Sequence, residues 1–492
     1  MLNDLAELDT GRALSSDQPH SPQSLRKDGS RDALSTQLEV AENEHNYTGE
    51  APTYRLYKQR FIGIAALSLL NLAAGMCWPW FGPISRSMTE EFGVTLDQVN
   101  WLGNIEACIY IPGSLLTPVL VRRIGLRRTC EIGAVSLLLS AWIRYSGTPR
   151  SLTTDQAYGL LMLGQFFSSV AQPIFQVIGP TYSESWFDLK GRTTATMVTA
   201  IANPIGGALG QLLSPLVGDT RQSVLILGII CTVAAPAVFF IGAAPPTPPT
   251  FAGSKVKKSM SELFMALLGR ERRAEDGMTV RERLDFLIIF LLFGFLVGVT
   301  NAFAVVAGQI FEPMGYSEDT SGLMGAALLL SGIVAAIVTA PLSDRVFTNH
   351  LALTVKVLVP PVAAAWLSLI WAVRPNNEGA IFAIMVIIGV CSIPLLPIGL
   401  ELGCEVTRNA DASAALLWAM GNAACVMFIL VQGALRAGPD GSPPLNMRRG
   451  LIFSGTFIMV IAAVSILLRG KQVRKELDRA KNQEQQVAHA PS

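Results

Sequence analysis

The chain has 492 residues, 50% of them hydrophobic and 15% charged, with a formal net charge of +1. Soluble domains carry about 25% charged residues, so a soluble globular enzyme fits poorly, and the near-neutral balance excludes the global basic field that nucleic-acid binding needs. The apolar residues fall in runs of about 18–25, long enough to cross a hydrocarbon core as helices, whereas barrel strands are only about 9–11 residues long. The expected fold class is therefore an all-α polytopic membrane protein.

In chain order, residues 1–56 are polar, rich in Ser, Asp, Glu and Gln, and lack an apolar signal core, so they read as a disordered cytoplasmic tail. A first half, 57–243, holds expected spans at 60–84, 98–121, 127–146, 157–182, 193–217 and 222–243. The central loop 244–284 opens on Ala244-Pro-Pro-Thr-Pro-Pro-Thr250 and carries Lys255, Lys257, Lys258, Arg270, Arg272, Arg273, Arg281 and Arg283. Its start is stiff, and its basic remainder suits a membrane surface, with a short amphipathic helix expected over about 258–270. The second half, 285–470, holds spans at 285–310, 320–342, 351–373, 379–403, 411–435 and 450–469, and the tail 471–492 follows. Lys and Arg concentrate in the tails, the central loop and the 122–128 loop, which places all of them in the cytoplasm and requires an even number of spans. Twelve helices in two six-helix halves is the plan of a secondary transporter, with its substrate near the midplane between the halves. The sequence offers no filter-like segment for a channel and no Walker loop for an ATP-driven pump.

The seven cysteines (77, 108, 130, 231, 391, 404, 425) sit in or beside apolar runs without ligand spacing, and read as small packing residues. The four histidines (20, 45, 350, 489) all fall outside the spans, so neither a metal, a cofactor nor His-based catalysis is expected. Asn46-Tyr-Thr48 matches a glycosylation acceptor, but the charge distribution puts it on the cytoplasmic side.

Glu106 lies about eight residues into the second span, a depth where a carboxylate faces a water-filled cavity or a partner. It reads as a proton-coupling group, as a ligand for a cation, or as a structural hydrogen-bonding partner of a neighbour such as Asn104. Trp78, in Cys77-Trp78-Pro79-Trp80-Phe81, is either an interfacial anchor beside a Pro kink or a cavity-facing ring. Glu401 and Glu405 lie one turn apart near Arg408, and Glu184 lies near Lys190 and Arg192; these read as gate residues or as helix-end charges. Arg144 either snorkels to the headgroups or pairs with an acidic neighbour. Gly206-x-x-x-Gly210 allows close helix approach and reads as the seam that slides when a half rocks, while Pro394 and Pro397 free carbonyls that bend a gate helix or line a cavity.

Two loops carry a resemblance. Ala340-Pro-Leu-Ser-Asp344-Arg345 and Arg122-Arg-Ile-Gly125-Leu-Arg127-Arg128 resemble the G-x-L-a-D-R-x-G-R/K-R/K signature of the major facilitator superfamily. The resemblance implies a salt-bridge latch between the halves, carried by Asp344 and Arg345, since Arg122 stands where the first copy of the signature has its Asp. A second resemblance runs through Trp101-Leu102, Tyr110-Ile-Pro112, Gly133, Trp142, Arg144, Gly164-Gln165, Ser169-Val-Ala-Gln172-Pro173, Trp186-Phe187, Asn203, Gly207 and Gly210. Gly294, Gly298, Gln309 and Val431-Gln432-Gly433 continue it in the second half. This is similar to the feline leukaemia virus subgroup C receptor family over about 57–470, and implies a facilitator of choline, ethanolamine, haem or vitamin-like solutes. In choline-moving members a Trp of helix one and a Tyr of helix seven cage the quaternary ammonium, assisted by glutamines of helices four and eleven. Position by position these fall on Trp78, Asn301, Gln172 and Asn422, so half of the cage is replaced by asparagine. Trp80 and Phe81 are candidates for an extra aromatic wall, and Glu106 stands where the family has a Tyr.

The sequence thus predicts a monomeric secondary active transporter in the lipid bilayer, with no nucleic-acid partner, working by alternating access on a small organic solute of cationic or amphipathic character. The substrate site is expected at Trp78, Glu106, Gln172, Asn301 and Asn422, with gating by Asp344, Arg345, Glu184, Glu401 and Glu405. Proton coupling is open. Export of a drug or secondary metabolite and a non-transporting receptor on the same fold are the alternatives. The plasma membrane is the expected address, with a vacuolar or lysosomal membrane as the alternative.

Overall fold

The computed structural model describes residues 55–247, 260–270, 278–345 and 351–470. Nearly all of the expected N-terminal tail, most of the basic stretch of the central loop and the C-terminal tail lie outside them, as do the side chains of residues 189, 190, 192, 193, 340–345, 410 and 411.

The described chain is helical and contains no strand. In the first half the helices are α1 (Gln59–Cys77), α2 (Ser85–Phe92), α3 (Leu96–Ile124), α4 (Leu126–Ser146), α5 (Thr154–Trp186), α6 (Leu189–Leu216) and α7 (Thr220–Ala234), the last continued by a 3₁₀ turn to Phe240. The short α8 (Met260–Leu268) falls inside the amphipathic stretch expected in the central loop. In the second half follow α9 (Val280–Phe311), α10 (Glu318–Arg345), α11 (Leu351–Ala372), α12 (Glu378–Ser392), α13 (Leu395–Thr407), α14 (Ala410–Leu435) and α15 (Arg448–Val464).

Local chemistry sets these boundaries. Capping boxes Thr95/Gln98, Thr153/Gln156 and Thr279/Glu282 start α3, α5 and α9, each satisfying two backbone donors at a helix start. Thr279 thereby begins α9 inside what the sequence assigns to the central loop. Pro79 and Pro83 end the first helix at Cys77, so residues 78–84 form a turn where the sequence predicts the end of a span running 60–84. Pro394 likewise divides the span expected at 379–403 into α12 and α13, and α13 runs on to Thr407. Among the described residues, ten helical stretches are long and apolar enough to cross a membrane. The spans expected at 127–146 and 193–217 correspond to α4 and α6, which are helical but more polar. α4 carries Arg127, Arg128, Glu131 and Arg144; α6 carries Asn203, Gln211 and several hydroxyls.

Buried apolar side chains form two cores. One, around Leu67, Leu70, Trp80, Leu137, Phe175 and Leu227, belongs to the first half. The other, around Phe303, Val362, Trp366, Leu417, Phe428 and Ile458, belongs to the second and takes in only a few residues of the first, such as Tyr110 and Ala208. The halves meet along two helix pairs, α3 with α14 and α6 with α10. The Gly206-x-x-x-Gly210 pair does not serve that seam. A Cβ on Gly206 would collide with the Leu72 carbonyl, and one on Gly210 would stand 2.7 Å from the Met76 carbonyl, so both glycines hold α6 against α1 inside the first half. The α6–α10 seam uses Gly322 instead, whose Cβ would stand 2.5 Å from the Gln211 carbonyl.

The first core also encloses charge. Arg144 is 1% exposed, and it donates to the Gln165 Oε1 at 2.6 Å, the Ser140 carbonyl at 3.2 Å and the Cys77 Sγ at 3.3 Å. It therefore points inward and does not snorkel. Cys77 lies 3.8 Å, sulfur to sulfur, from Cys231, so these two cysteines belong to a polar cluster and do more than fill space. Glu106 is 2% exposed, both carboxylate oxygens lack a hydrogen-bond partner, and Arg144 and Cys77 are among its electrostatic neighbours. An uncompensated buried charge is costly, so Arg144 depends on its acceptors Gln165, Ser140 and Cys77.

Two outcomes test this packing. Gly206→Val should destabilise the purified protein by about 1–3 kcal/mol, read as a lower thermal-unfolding midpoint; an unchanged midpoint would show that α1 and α6 can part. Arg144→Gln should be strongly destabilising alone and less so combined with Glu106→Gln. Additivity of the two substitutions within about 0.5 kcal/mol would mean that the charges do not sense one another.

Candidate substrate-binding site

Between the two cores lies a cavity with about 960 Å³ of empty space, open solvent at its mouth included. Its first-half wall comes from three helices. Trp78 sits where α1 ends, with its indole over Gly207 of α6. Gln172 and Gln176, one turn apart, come from α5, and Asn203 comes from α6. The facing wall presents Thr300 and Asn301 from α9, Trp418 and Asn422 from α14, and Ser392 at the α12–α13 break. Freed backbone at such a break is tolerated in a membrane where it borders a cavity.

Several of these groups are fixed from behind. Tyr110 donates to the Gln176 Oε1 at 2.8 Å. Asn203 donates to the Asn71 Oδ1 at 3.3 Å, and Asn71 in turn donates to the Thr199 carbonyl at 2.8 Å. Asn422 donates to the Trp418 carbonyl at 3.0 Å, and Trp418 meets Phe293 edge to face at 5.3 Å. Each fixed amide keeps one end for a ligand. The Ser392 hydroxyl is buried without a partner.

Trp78, Gln172, Asn301 and Asn422 thus border one space, while Glu106 does not. Its carboxylate turns into the first core beside Arg144, so it is neither a cavity ligand nor hydrogen-bonded to Asn104. Trp80 and Phe81 supply no cavity wall either. Both are buried in the first core, where the Trp80 indole N–H donates to the Ser223 Oγ at 3.3 Å. Gln176, Asn203, Ser392 and Trp418 are additions to the expected set, and two of them carried a signal: Gln176 and Trp418 lie one turn from Gln172 and Asn422 on the same helix faces. No charged side chain borders the cavity among the described residues. A single aromatic face offers a cation about 0.5–2 kcal/mol, against several kcal/mol for taking an unpaired charge out of water.

At the end bearing α2 the halves are tied together. Arg436, at the end of α14, donates to the Asp97 Oδ1 at 2.7 Å and to the Gln309 Oε1 at 2.8 Å. Gln309 donates to the Asn100 Oδ1 at 2.6 Å. Ser87 donates its N–H and its hydroxyl to Glu318 at 2.9 and 2.7 Å. The cavity extends the other way, towards Val355 at the start of α11 and Leu468 beyond α15. There Arg408 pairs with Glu282 at 3.0 Å within the second half. Glu184 is half-buried near the end of α5, Glu401 is exposed on α13, and Glu405 is buried there. Asp344 and Arg345 close α10, with their side chains among those not described. Of the residues tying the closed end, sequence reasoning named only Gln309, and only within a motif. The others read as ordinary helix-end polarity, because each partner lies hundreds of residues away.

Residues 67–431 match the family model described as Major Facilitator Superfamily. Solute carrier family 49 member A3 of Danio rerio is 26% identical over 407 residues, 80% of this chain and 82% of that protein. The choline/ethanolamine transporter FLVCR1 of Felis catus is 22% identical over 440 residues, 87% of this chain and 76% of that protein. The crystal structure of a D-xylose-proton symporter superposes with a TM-score of 0.60 at 12% identity, over 84% of this chain and 99% of that chain, a likeness of fold. With a family match over most of its membrane helices and one cavity between two helical cores, the chain belongs to the Major Facilitator Superfamily, a multi-pass membrane protein of a transporter family and not an enzyme.

Proposed function

We propose that the protein is a secondary active transporter that carries a small organic solute by alternating access, with 57–243 and 285–470 as the rocking halves and α4 and α6 completing twelve spans. The supporting observation is the amide-lined cavity, tied shut across the halves at one end and extending towards the other. With both tails in the cytoplasm, as the Lys and Arg distribution requires, the tied end is the outer one and this conformation faces inward.

The outer ties suit a reversible gate. Asp97 is 68% exposed in its side chain, so its pair with Arg436 contributes at most about 1 kcal/mol. The buried Gln309–Asn100 bond adds about 0.5–1.5 kcal/mol. A handful of such terms favours one state by a few kcal/mol and leaves the other accessible. Asp344 and Arg345, at the opposite end of the molecule, are proposed to latch the alternate state, with Glu184, Glu401 and Glu405 as charges of the inner mouth. The plasma membrane is the proposed location. The buried Glu106 lies in the first core and away from the cavity, so any part in proton coupling would act through the packing of that half and not through contact with the cargo.

Two experiments test this reading. Proteoliposomes should exchange at least one member of a broad library of amines, alcohols, amides and sugars faster than protein-free vesicles; no exchange of any member would sink the transport reading. With native cysteines replaced, Leu329→Cys places a thiol in the cavity wall. Adding Arg436→Ala should raise its labelling by a membrane-impermeant reagent from the outer side at least threefold, and unchanged labelling would refute the gate.

A further inference from the structure

We infer that the cargo of this cavity is uncharged: an amphipathic molecule whose head both donates and accepts hydrogen bonds and whose body is apolar. The inference rests on the transport reading above and narrows it to a substrate class.

Charge is the first argument. Among the described residues no Asp, Glu, Lys or Arg borders the cavity. Glu106, the deep carboxylate of the first half, is buried away from the cavity lining and offers a cation there no direct contact. A charged solute of either sign would leave water without a counter-charge. Each of the aromatic faces of Trp78 and Trp418 recovers only a small part of that loss.

The second argument is the kind of polarity present. Gln172 on one wall and Asn301 on the other each present an N–H₂ donor and a carbonyl acceptor. Gln176 has its carbonyl engaged by Tyr110 and keeps its donors, whereas Asn203 and Asn422 donate backwards and keep their carbonyls. The Ser392 hydroxyl, buried and unpartnered, can do either. Such a set is complementary to a head that gives and receives hydrogen bonds, such as an alcohol or an amide. A quaternary ammonium has no hydrogen to give and would leave these groups unsatisfied.

The third argument is asymmetry along the cavity. Its mouth side is bordered by Val355, Val359, Leu395, Leu402 and Leu468, with no amide among them. A solute with its head on the amides therefore lays an apolar body along these side chains.

The test uses the full chain in lipid nanodiscs and two matched probe pairs. One is choline against its carbon isostere, in which carbon replaces the quaternary nitrogen; the other is hexyltrimethylammonium against hexanamide. Thermal unfolding reports binding to the folded state. The uncharged member of each pair should raise the midpoint at a concentration at least tenfold below its cationic partner. Asn301→Asp, which keeps the side-chain shape and adds a carboxylate, should reverse that order; Asn422→Asp serves if the first variant does not fold. A native chain that binds the cation equally well or better, a lack of reversal, or no shift with any probe overturns the inference. The transport reading fails separately, if no member of the solute library exchanges in proteoliposomes faster than in protein-free vesicles while the preferred probe still binds.

Discussion

The contact of α1 with α6 holds the first wall of the cavity in place. Gly75 lies against the Asn203 backbone, and Gly206 and Gly210 lie against the Leu72 and Met76 carbonyls, so the two backbones run closer than side chains would allow. Lipid tails are as apolar as leucine, so helices in a bilayer associate through such close packing more than through hydrophobic drive. The consequence reaches the site directly. The same contact sets Trp78, one residue beyond α1, over Gly207, and lets Asn71 reach Asn203 and fix which end of that amide faces the cavity. Widening the contact would move an aromatic face and an acceptor together.

What the sequence made legible was the existence of the helices and the positions of most breaks. Runs of apolar residues can only be helical in hydrocarbon, and proline and capping residues mark the ends. The facing of individual side chains was less legible. Trp78 and Trp80 look interchangeable in Cys77-Trp78-Pro79-Trp80-Phe81, yet one borders the cavity and the other donates to Ser223 inside the first core. Around that proline turn no helical period applies, so nothing in the spacing separates them. Glu106 misleads for a different reason. A carboxylate deep in a span announces that it needs company, but not whether the company is water, cargo or a basic residue of the same half, and here Arg144 stands near it.

The ties between the halves were hidden by distance along the chain. Arg436 and Asp97 are separated by 339 positions, and Gln309 and Asn100 by 209. Each alone is an unremarkable polar residue near a helix end, where positive-inside and capping arguments already explain polarity. Only the packing of α3 on α14 turns them into a set. The loop signature that closes α10 was the more conspicuous motif, and the described side chains place the named cross-half ties at the other end. Loop signatures report a family's shared mechanics, whereas the closure of one state is written in pairs that a single sequence does not reveal.

Among the described residues no ionised group lines the cavity, and this bears on energetics beyond recognition. Moving one elementary charge through the membrane potential changes its energy by about 2.3 kcal/mol per 100 mV. The amides, hydroxyls and hydrocarbon that border the cavity among the described residues carry no such charge. If the cargo is uncharged, as proposed, neither it nor the cavity lining contributes a charge moved through that potential. Secondary active transport of such a cargo would then need a coupled ion bound elsewhere than on these walls.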